Sequence, residues 1–199
     1  HEISTHNKFN RLPDHGRCFS HFIIKKEKFY PTRFCTRTSR RYIRQTINPA
    51  SARYYADVKS TQDLLELSET QIYSENIKFI LGGGSNILFT KDIECLVIKN
   101  SILGIEIINE SESEIILKVG SGEDWHKLVC YCVNKGYGGI ENLSLIPGSV
   151  GAAPLQNIGA YGVELADIFH SLEAFHLNKL ESHSFNKSNC NFAYRESIF

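Results

Sequence analysis

The sequence predicts an α+β fold, and three observations carry this prediction. Residues 52–81 read as strand, helix and strand, and residues 95–122 contain three short strands separated by Asn, Ser and Glu. A further helix then leads into a glycine-rich segment at 137–164. With 42% apolar and 22% charged residues, the composition is that of an ordinary globular protein. Strands and helices mixed in this order are typical of a two-layer α+β domain.

The first unit begins with "ARYYADV" at 52–58, a strand rich in Tyr and Val. Ser60 is the predicted N-cap of a helix, "TQDLLELSETQIY". This helix places four apolar side chains on roughly one face, namely Leu64, Leu65, Leu67 and Ile72. The next strand, "KFIL", ends directly in "GGGSN", so a glycine turn lies at the exit of the second strand.

Later elements follow the same signals. The runs "CLVIKN", "GIEIINE" and "EIILKVGSG" predict three strands, and Ile115, Leu117 and Val119 share one face. Asp124 is the predicted N-cap of the helix "WHKLVCYCVNKG", and Gly136 its C-terminal stop. Two more strands, "IFHSLEAFHL" and "LESHSF", come after the glycine-rich segment.

The glycine turn has two interpretations. Consecutive glycines let several backbone N–H groups converge on an anion, to which Ser85 and Asn86 add side-chain donors. The turn is neither a Walker sequence, because no Lys follows, nor a dinucleotide GxGxxG between a first strand and its helix. From the residues alone, a phosphate site and a purely structural turn both remain open.

The second glycine-rich stretch, "IPGSVGAAPLQNIGAYG", combines a stiff backbone with the uncharged pair Gln156 and Asn157. Such groups suit a neutral heteroaromatic ring and a polyol chain. The alternative is a pair of successive loops that cover the core without a ligand.

Charge is distributed unevenly along the chain. Residues 1–50 contain 11 Lys and Arg against 3 Asp and Glu, a net charge of +8, and the remainder contains 11 against 19, a net charge of −8. The basic segment "RFCTRTSRRYIRQT" is compatible with a nucleic-acid arm, a transit-like peptide or a poorly ordered extension foreign to the domain, and we expect the last.

Cysteine and histidine spacing argues against cross-links and metals. The six cysteines form no CxxC pair, which predicts reduced thiols and a cytoplasmic location. His170, His176 and His183 have no ligand spacing, so no metal site is expected. His126 is expected to pack on its helix surface. No apolar run is long enough to cross a membrane.

Four motifs in register carry a family resemblance: "LGGGSNILF", "GSGEDWHKLV", "GGIENLSLIPGSVGAAPLQNIGAYGVE" and "FAYRESIF". From about residue 52 to 199 the chain resembles the UDP-N-acetylenolpyruvoylglucosamine reductases, the flavoenzymes that complete UDP-N-acetylmuramic acid for peptidoglycan synthesis. The resemblance implies the FAD-binding fold of the vanillyl-alcohol-oxidase/PCMH type with two α+β subdomains. It implies a first FAD-binding subdomain at 47–91 and a second at 92–199, with the C-terminal substrate-binding domain absent. The basic extension at 1–46 has no counterpart in the family.

The resemblance also implies a cofactor site. The loop at 82–86 is expected to hold the FAD pyrophosphate, and the segment at 146–163 to line the flavin. The predicted cofactor-binding residues are Gly82, Gly83, Gly84, Ser85, Asn86, Ile146, Pro147, Gly148, Gly151, Gln156, Asn157, Gly159, Ala160, Tyr161 and Gly162.

The resemblance implies that NADPH is the co-substrate and UDP-N-acetylglucosamine enolpyruvate the substrate. Arg195, beside Tyr194 in "YRES", aligns with the arginine that stabilises the enolate-like carboxylate, because a fixed guanidinium pairs with a carboxylate in a bidentate way. We expect both residues to contact the substrate. On residues alone, Arg195 would equally bridge Glu196 or another surface carboxylate.

Two departures limit the functional expectation. "INPAS" stands where the family has an "NTF"-type segment, and the family's substrate domain, with its serine proton donor and late glutamate, is expected beyond Phe199. The leading hypothesis is a reductase that is inactive as this chain. The alternatives are an FAD-binding module without reductase activity and, more weakly, a protein whose basic arm is functional. We expect a monomer without nucleic-acid or membrane partners.

Overall fold

A four-stranded sheet forms the first layer of the protein. The computed structural model describes residues 41–43 and 50–199. The sheet consists of β1 (Arg41–Ile43), β2 (Ala50–Val58), β3 (Lys78–Leu81) and β4 (Ile93–Asn100) in the order β1-β2-β4-β3. β4 runs parallel to both of its neighbours, and β1 is antiparallel to β2.

The position of β4 corrects one detail of the predicted strand–helix–strand unit. Its two strands, β2 and β3, are parallel, but β4 lies between them. The reason is packing: Leu96 and Ile98 of β4 are buried on the face that meets the helices and Val97 is buried on the opposite face, which is typical of a central parallel strand. The sheet therefore crosses the boundary predicted between 91 and 92.

Two short helices cover this sheet, where the sequence predicted one. α1 (Thr61–Ser68) begins at Ser60, whose hydroxyl accepts from the Asp63 N–H at 3.1 Å, as predicted. α2 (Gln71–Glu75) starts afresh because Thr70 adopts an extended conformation and its hydroxyl accepts from the Tyr73 N–H at 3.2 Å. The prediction of one continuous helix was wrong at Thr70.

The second part of the chain consists of small antiparallel pairs around one helix. β5 (Ile105–Glu110) pairs with β6 (Ile115–Val119), and α3 (Trp125–Asn134) follows. The Asp124 carboxylate accepts from the Lys127 N–H at 2.9 Å, and Gly136 has a φ of +77°, so both predicted ends of this helix are confirmed.

Short elements complete the chain. Single 3₁₀ turns lie at Glu141–Leu143 and Ser188–Cys190, and a longer one at Val150–Gln156. The remaining elements are β7 (Gly159–Ala160), β8 (Val163–Glu164), α4 (Leu165–Ile168), β9 (Ser171–His176) and β10 (Glu181–Asn186). β9 and β10 confirm the two predicted strands and pair with each other as an antiparallel hairpin.

The two largest apolar clusters of the described residues lie in the two parts of the chain, one under the four-stranded sheet and one around α3. The first lies between the sheet and its helices and includes Phe175 and Leu177 from the end of β9. The Tyr73 hydroxyl donates to the Leu177 carbonyl at 2.6 Å, which ties the late hairpin to the first layer. The second core surrounds α3, with Trp125, Leu128 and Val129 buried.

The predicted basic extension is described only at its end. Residues 41–43 form β1 and pair with 50–52, so this part of the segment assigned to 1–46 belongs to the sheet. The rest of the extension lies outside the described residues. In the described ranges, the model contains no helix that is long and apolar enough to cross a membrane.

Candidate functional site

Three backbone segments meet around a buried polar pair. The Asn100 amide and the Ser121 hydroxyl, 4% and 0% exposed, lie 2.8 Å apart. A Cβ on Gly120 would lie 2.5 Å from the Ile102 carbonyl oxygen, and a Cβ on Gly151 would lie 2.7 Å from the Ser121 Cβ and 3.0 Å from the Ser121 carbonyl oxygen. Such distances exclude side chains, so glycines here allow the segments at 100–104, 120–122 and 148–151 to touch through their backbones.

The 82–86 loop lies beside these segments and presents free donors. Gly84 has a φ of +76°, which a glycine adopts without strain. Among the described residues, no backbone N–H of 82–86 donates to a protein acceptor. The loop therefore has donors to offer to a bound acceptor, which favours the cradle over the structural turn.

The two glycine-rich motifs are in contact, although the contacting residues are 63 to 67 positions apart in the sequence. A Cβ on Gly82 would lie 2.7 Å from the Ser149 Oγ, and a Cβ on Gly83 would lie 3.4 Å from the Gly148 Cα. A Cβ on Gly148, whose φ is +135°, would lie 3.4 Å from the Ser85 Oγ. The structure thus brings together the two stretches that the sequence suggested for one ligand.

Ser149 is held so that its own N–H faces the loop. Trp125 N–H donates to the Gly148 carbonyl and Val150 N–H to the Glu123 carbonyl, which makes Asp124 and Ser149 a non-hydrogen-bonded antiparallel pair. In such a pair the backbone polar groups point away from the partner. The Ser149 nitrogen lies 3.7 Å from the Cβ position of Gly83. Ser149 therefore adds a donor next to the cradle.

His126 fixes the entry to the second motif. Its Nδ1 accepts from the Leu145 N–H at 3.2 Å, and Leu145 has a φ of +60° with a side chain 76% exposed. A left-handed leucine is uncommon and needs such support. The expectation that His126 packs on its helix surface is confirmed, and its contact orients the residue before Ile146.

Asn157 was predicted to bind the cofactor, but its amide is fully engaged by the protein. It is 2% exposed at a φ of +41°. Its Nδ2 donates to the Glu164 carboxylate at 2.7 Å and to the Ala193 carbonyl at 3.1 Å, and its Oδ1 accepts from the Ala166 N–H at 3.0 Å. With both amide donors in use, the Asn157 side chain has no donor left for a flavin.

Arg195 lies at the tip of a tight turn. Ala193 and Glu196 exchange two backbone hydrogen bonds, at 3.0 and 3.1 Å, and Arg195 has a φ of +52°. Its guanidinium carbon lies 5.7 Å from the centroid of the Tyr194 ring, and both side chains are exposed. Within the described residues Arg195 forms no ion pair, so the alternative that it bridges Glu196 is not observed.

The remaining predicted residues surround this turn or the exit of the 3₁₀ segment. Gln156 is exposed at its end, and Ser197 donates to the Leu155 carbonyl at 3.3 Å, which holds the Arg195 turn against it. Tyr161 is 89% exposed at a φ of +52°. The others lie in the β7–β8 hairpin or just before Gly148: Ile146, Pro147, Gly159, Ala160 and Gly162.

Sequence reasoning missed the supporting residues Asn100, Ser121, Ser149 and Lys99. The Lys99 ammonium donates to the Gly82 carbonyl at 2.5 Å, and burial lowers its pKa, while the Asp57 charge opposes that shift. The available signal was "GSG" at 120–122: an isolated serine between glycines, next to a capped helix, indicates close backbone approach.

Charged groups at the segment ends organise loops. Glu141 accepts from the Gly139 N–H at 2.6 Å, and backbone N–H groups of Glu141 itself and Gly139 lower the pKa of this carboxyl. Among the described residues, no three His, Cys, Asp or Glu side chains lie close enough to hold a metal ion.

This arrangement of a glycine cradle between two small layers is that of a flavin-nucleotide domain, and comparison identifies the class. A family model described as "FAD binding domain" matches residues 52–178. The chain belongs to this FAD-binding domain family. The predicted fold class and the predicted FAD cofactor are therefore confirmed.

The similar proteins carry one name. UDP-N-acetylenolpyruvoylglucosamine reductase of Amoebophilus asiaticus is 54% identical over 150 residues, and that of Flavobacterium johnsoniae is 45% identical over 150 residues. Each alignment covers 75% of this chain and 44% of the relative, so the chain spans less than half the length of these proteins. The predicted resemblance is confirmed.

A solved structure agrees with these relatives. The UDP-N-acetylenolpyruvylglucosamine reductase (MurB) from Thermus caldophilus matches with a TM-score of 0.57 and 26% identity, over 76% of this chain and 51% of that one.

The residues present fit an FAD. The pyrophosphate needs several convergent donors, which the N–H groups of 82–86 and the Ser85 hydroxyl provide. Glycines at 82, 83 and 148 keep Cβ atoms out of the space between the two motifs. The buried Asn100–Ser121 pair sets the spacing of the supporting segments.

Proposed function

We propose that this chain is the FAD-binding part of an NADPH-dependent flavoenzyme that reduces UDP-N-acetylglucosamine enolpyruvate to UDP-N-acetylmuramate in the cytoplasm. The observation that carries the proposal is the contact between the 82–86 loop and the Gly148–Ser149 backbone, together with the reductase names of the relatives. FAD, when bound, supplies hydride transfer from NADPH to the enolpyruvyl double bond. The residues of this chain bind the cofactor and orient the substrate.

The cradle holds the dinucleotide phosphates through backbone donors. Neutral N–H groups bind the pyrophosphate without adding mobile charges, and the Ser85 hydroxyl lies 3.4 Å from the Cβ position of Gly148, at the junction of both motifs. The predicted roles of Gly82, Gly83 and Gly84 in this binding remain proposals. The 146–163 segment is the part of the chain that would hold the flavin ring.

Arg195 is the proposed catalytic residue. Its guanidinium is exposed, forms no ion pair within the described residues and stacks near the Tyr194 ring. A free guanidinium on a fixed turn is suited to pair with a carboxylate whose charge grows during reduction. Asn157 and Ser197 hold the turn, while Tyr194 and Arg195 contact the substrate.

Arg195→Lys separates the two half-reactions of the whole protein. We expect FAD retention and flavin reduction by NADPH to stay within about twofold, and oxidation of the reduced flavin by the enolpyruvyl nucleotide to slow by about 100-fold, because one bidentate partner is lost. Arg53→Lys is the matched control, because Arg53 is an exposed position of β2 whose guanidinium carbon lies 5.4 Å from the centroid of the Tyr54 ring.

Equal slowing of both half-reactions would contradict the role of Arg195. FAD binding without any oxidation of the reduced flavin by the nucleotide, in the unsubstituted whole protein, would favour the alternative of a flavin module without reductase activity.

A further inference from the structure

Lys99 lies in β4 directly beside the loop that we propose as the phosphate cradle. Its backbone pairs with Leu81, the last residue of β3, and with Asp57 of β2 on the other side. Its ammonium donates to the carbonyl oxygen of Gly82 at 2.5 Å. The side chain is half-buried, so the ammonium approaches the loop from the sheet side.

This hydrogen bond fixes the direction of the following N–H. The described residues contain no cis peptide bond, so the unit between Gly82 and Gly83 is trans and planar. In a trans peptide the C=O and the N–H point in opposite directions. Because the Gly82 carbonyl points at the Lys99 ammonium, the Gly83 N–H points away from that ammonium.

Glycine alone would not hold that orientation. Gly82 and Gly83 have more accessible backbone conformations than any other residue pair, and a free peptide between them flips at low cost. Within the described residues, the Lys99 ammonium is the hydrogen-bond donor to the Gly82 carbonyl. The lysine therefore selects one of the two orientations of this peptide.

The positive charge of Lys99 also favours phosphate binding at the loop. Asp57 is its neighbour in the register, yet the hydrogen bond recorded for the ammonium goes to the loop rather than to that carboxylate. An ammonium next to an anion-binding loop attracts phosphate, and partial burial weakens solvent screening.

We propose that Lys99 is a positioning residue of the cradle, which turns the Gly83 N–H towards the pyrophosphate of a bound dinucleotide and adds a positive charge behind the loop. This inference rests on the proposed function, because it assumes that the loop holds a diphosphate. It predicts that Lys99 matters for phosphate-bearing ligands through the loop, not through direct contact with the flavin.

The test compares FAD and ADP binding in four forms of the chain: unsubstituted, Lys99→Met, Lys99→Arg and Lys91→Met. Lys91 is an exposed lysine five residues after the loop in the sequence, and its substitution removes the same charge. Dissociation constants come from calorimetry, and the ¹⁵N–¹H amide signal of Gly83 is followed during ADP titration. Unliganded thermal unfolding confirms that each variant folds.

We expect Lys99→Met to weaken FAD and ADP by a similar factor, about tenfold, as for the loss of one charged hydrogen bond. Lys99→Arg keeps most of the affinity, and Lys91→Met stays within twofold. The shift of the Gly83 amide signal on ADP addition shrinks in Lys99→Met.

Unchanged FAD and ADP affinity in Lys99→Met, or a loss for FAD without one for ADP, would overturn the proposal. So would an unchanged Gly83 signal in a variant with weaker binding, because the effect would then not pass through that peptide. Failure of the unsubstituted chain to bind FAD or ADP would instead overturn the proposed function itself.

Discussion

The side-chain amide of Asn157 donates a hydrogen bond to the carbonyl oxygen of Ala193, with 3.1 Å between nitrogen and oxygen. This contact joins the end of the 3₁₀ segment to the turn that carries Arg195, 36 residues later in the chain. The same amide also binds Glu164 and Ala166. Asn157, which was expected to contact the flavin, therefore organises the protein segments that surround its own side chain.

Replacing Asn157 should loosen the Arg195 turn. Asn157→Gly keeps the left-handed φ but removes three hydrogen bonds, and we expect a loss of about 2 kcal/mol in unfolding free energy. Asn157→Ala should lose about 1 kcal/mol more, because alanine is strained at a φ of +41°. Urea unfolding measures both.

Hydrogen exchange locates the effect. The Ala193 and Glu196 amides, which pair across the turn, should exchange faster in both variants, while the Leu128 amide in α3 keeps its protection. Unchanged exchange at Glu196 would show that Asn157 does not hold the turn.

Gly120 and Gly138 form a matched pair for the close approach of backbones. A Cβ on Gly120 would meet the Ile102 carbonyl oxygen at 2.5 Å, whereas a Cβ on Gly138 would meet nothing within 4 Å. Gly120→Ala should therefore lower the unfolding free energy by about 2 kcal/mol or more. Gly138→Ala should be neutral or slightly stabilising. Similar effects for both substitutions, measured by urea unfolding, would argue against backbone contact at Gly120.

Gly83→Val should weaken FAD binding with little loss of stability. Of the three loop glycines only Gly84 has a positive φ, so backbone strain does not act at Gly83. The operative reason is crowding, because a Cβ on Gly83 already lies 3.4 Å from the Gly148 Cα and valine adds two methyl groups towards Ser149. We expect about a tenfold rise in the FAD dissociation constant. A valine variant with unaltered affinity would remove Gly83 from the cradle.

Thiol chemistry tests the packing of the two cores. Cys130 is exposed on α3, whereas Cys132 and Cys190 are buried. Burial raises the pKa of the Cys190 thiol from 9.0 to about 11. Alkylation at pH 8 followed by peptide mapping should label Cys130 quickly and Cys190 only through unfolding. Rapid labelling of Cys190 in the folded chain would contradict its burial.

The same shift predicts a pH dependence of stability. The folded state holds the Cys190 proton more tightly than the unfolded chain does, so its contribution to stability is complete below pH 9 and declines as the pH rises through about 11. Cys190→Ala should flatten this decline between pH 9 and 11 in urea unfolding. If the unfolding free energy of the variant falls equally between pH 9 and 11, the decline comes from other groups, such as Tyr73, because burial also raises the pKa of Tyr73.

Local signals in the sequence predicted local structure well. Ser60 and Asp124 were identified as N-caps because a side-chain oxygen three residues before an N–H is enough to start a helix. Thr70 has the same chemistry, but its cap lies inside one apolar pattern, so the break between α1 and α2 was missed. The insertion of β4 between β2 and β3 was not predictable, because strand order depends on packing between distant residues.

The two glycine-rich segments of the site were predicted, but the residues that hold them in place were not. Glycine clustering identified the 82–86 loop and the 146–163 segment because both must approach other backbone closely. Asn157 was predicted to bind the cofactor because an uncharged amide on a glycine-rich backbone suits a flavin, and its three protein partners come from residues that its local sequence does not indicate. Lys99 lies in a strand whose sequence signals burial alone, so nothing local indicated its contact with Gly82.

Titration of the unsubstituted chain with FAD is the most direct test of the central claim that the two glycine-rich motifs form one cofactor site. We predict one FAD per chain with a dissociation constant of about 1 μM or tighter, quenched flavin fluorescence and competition by ADP. A chain that is folded by circular dichroism and binds no FAD would contradict the claim.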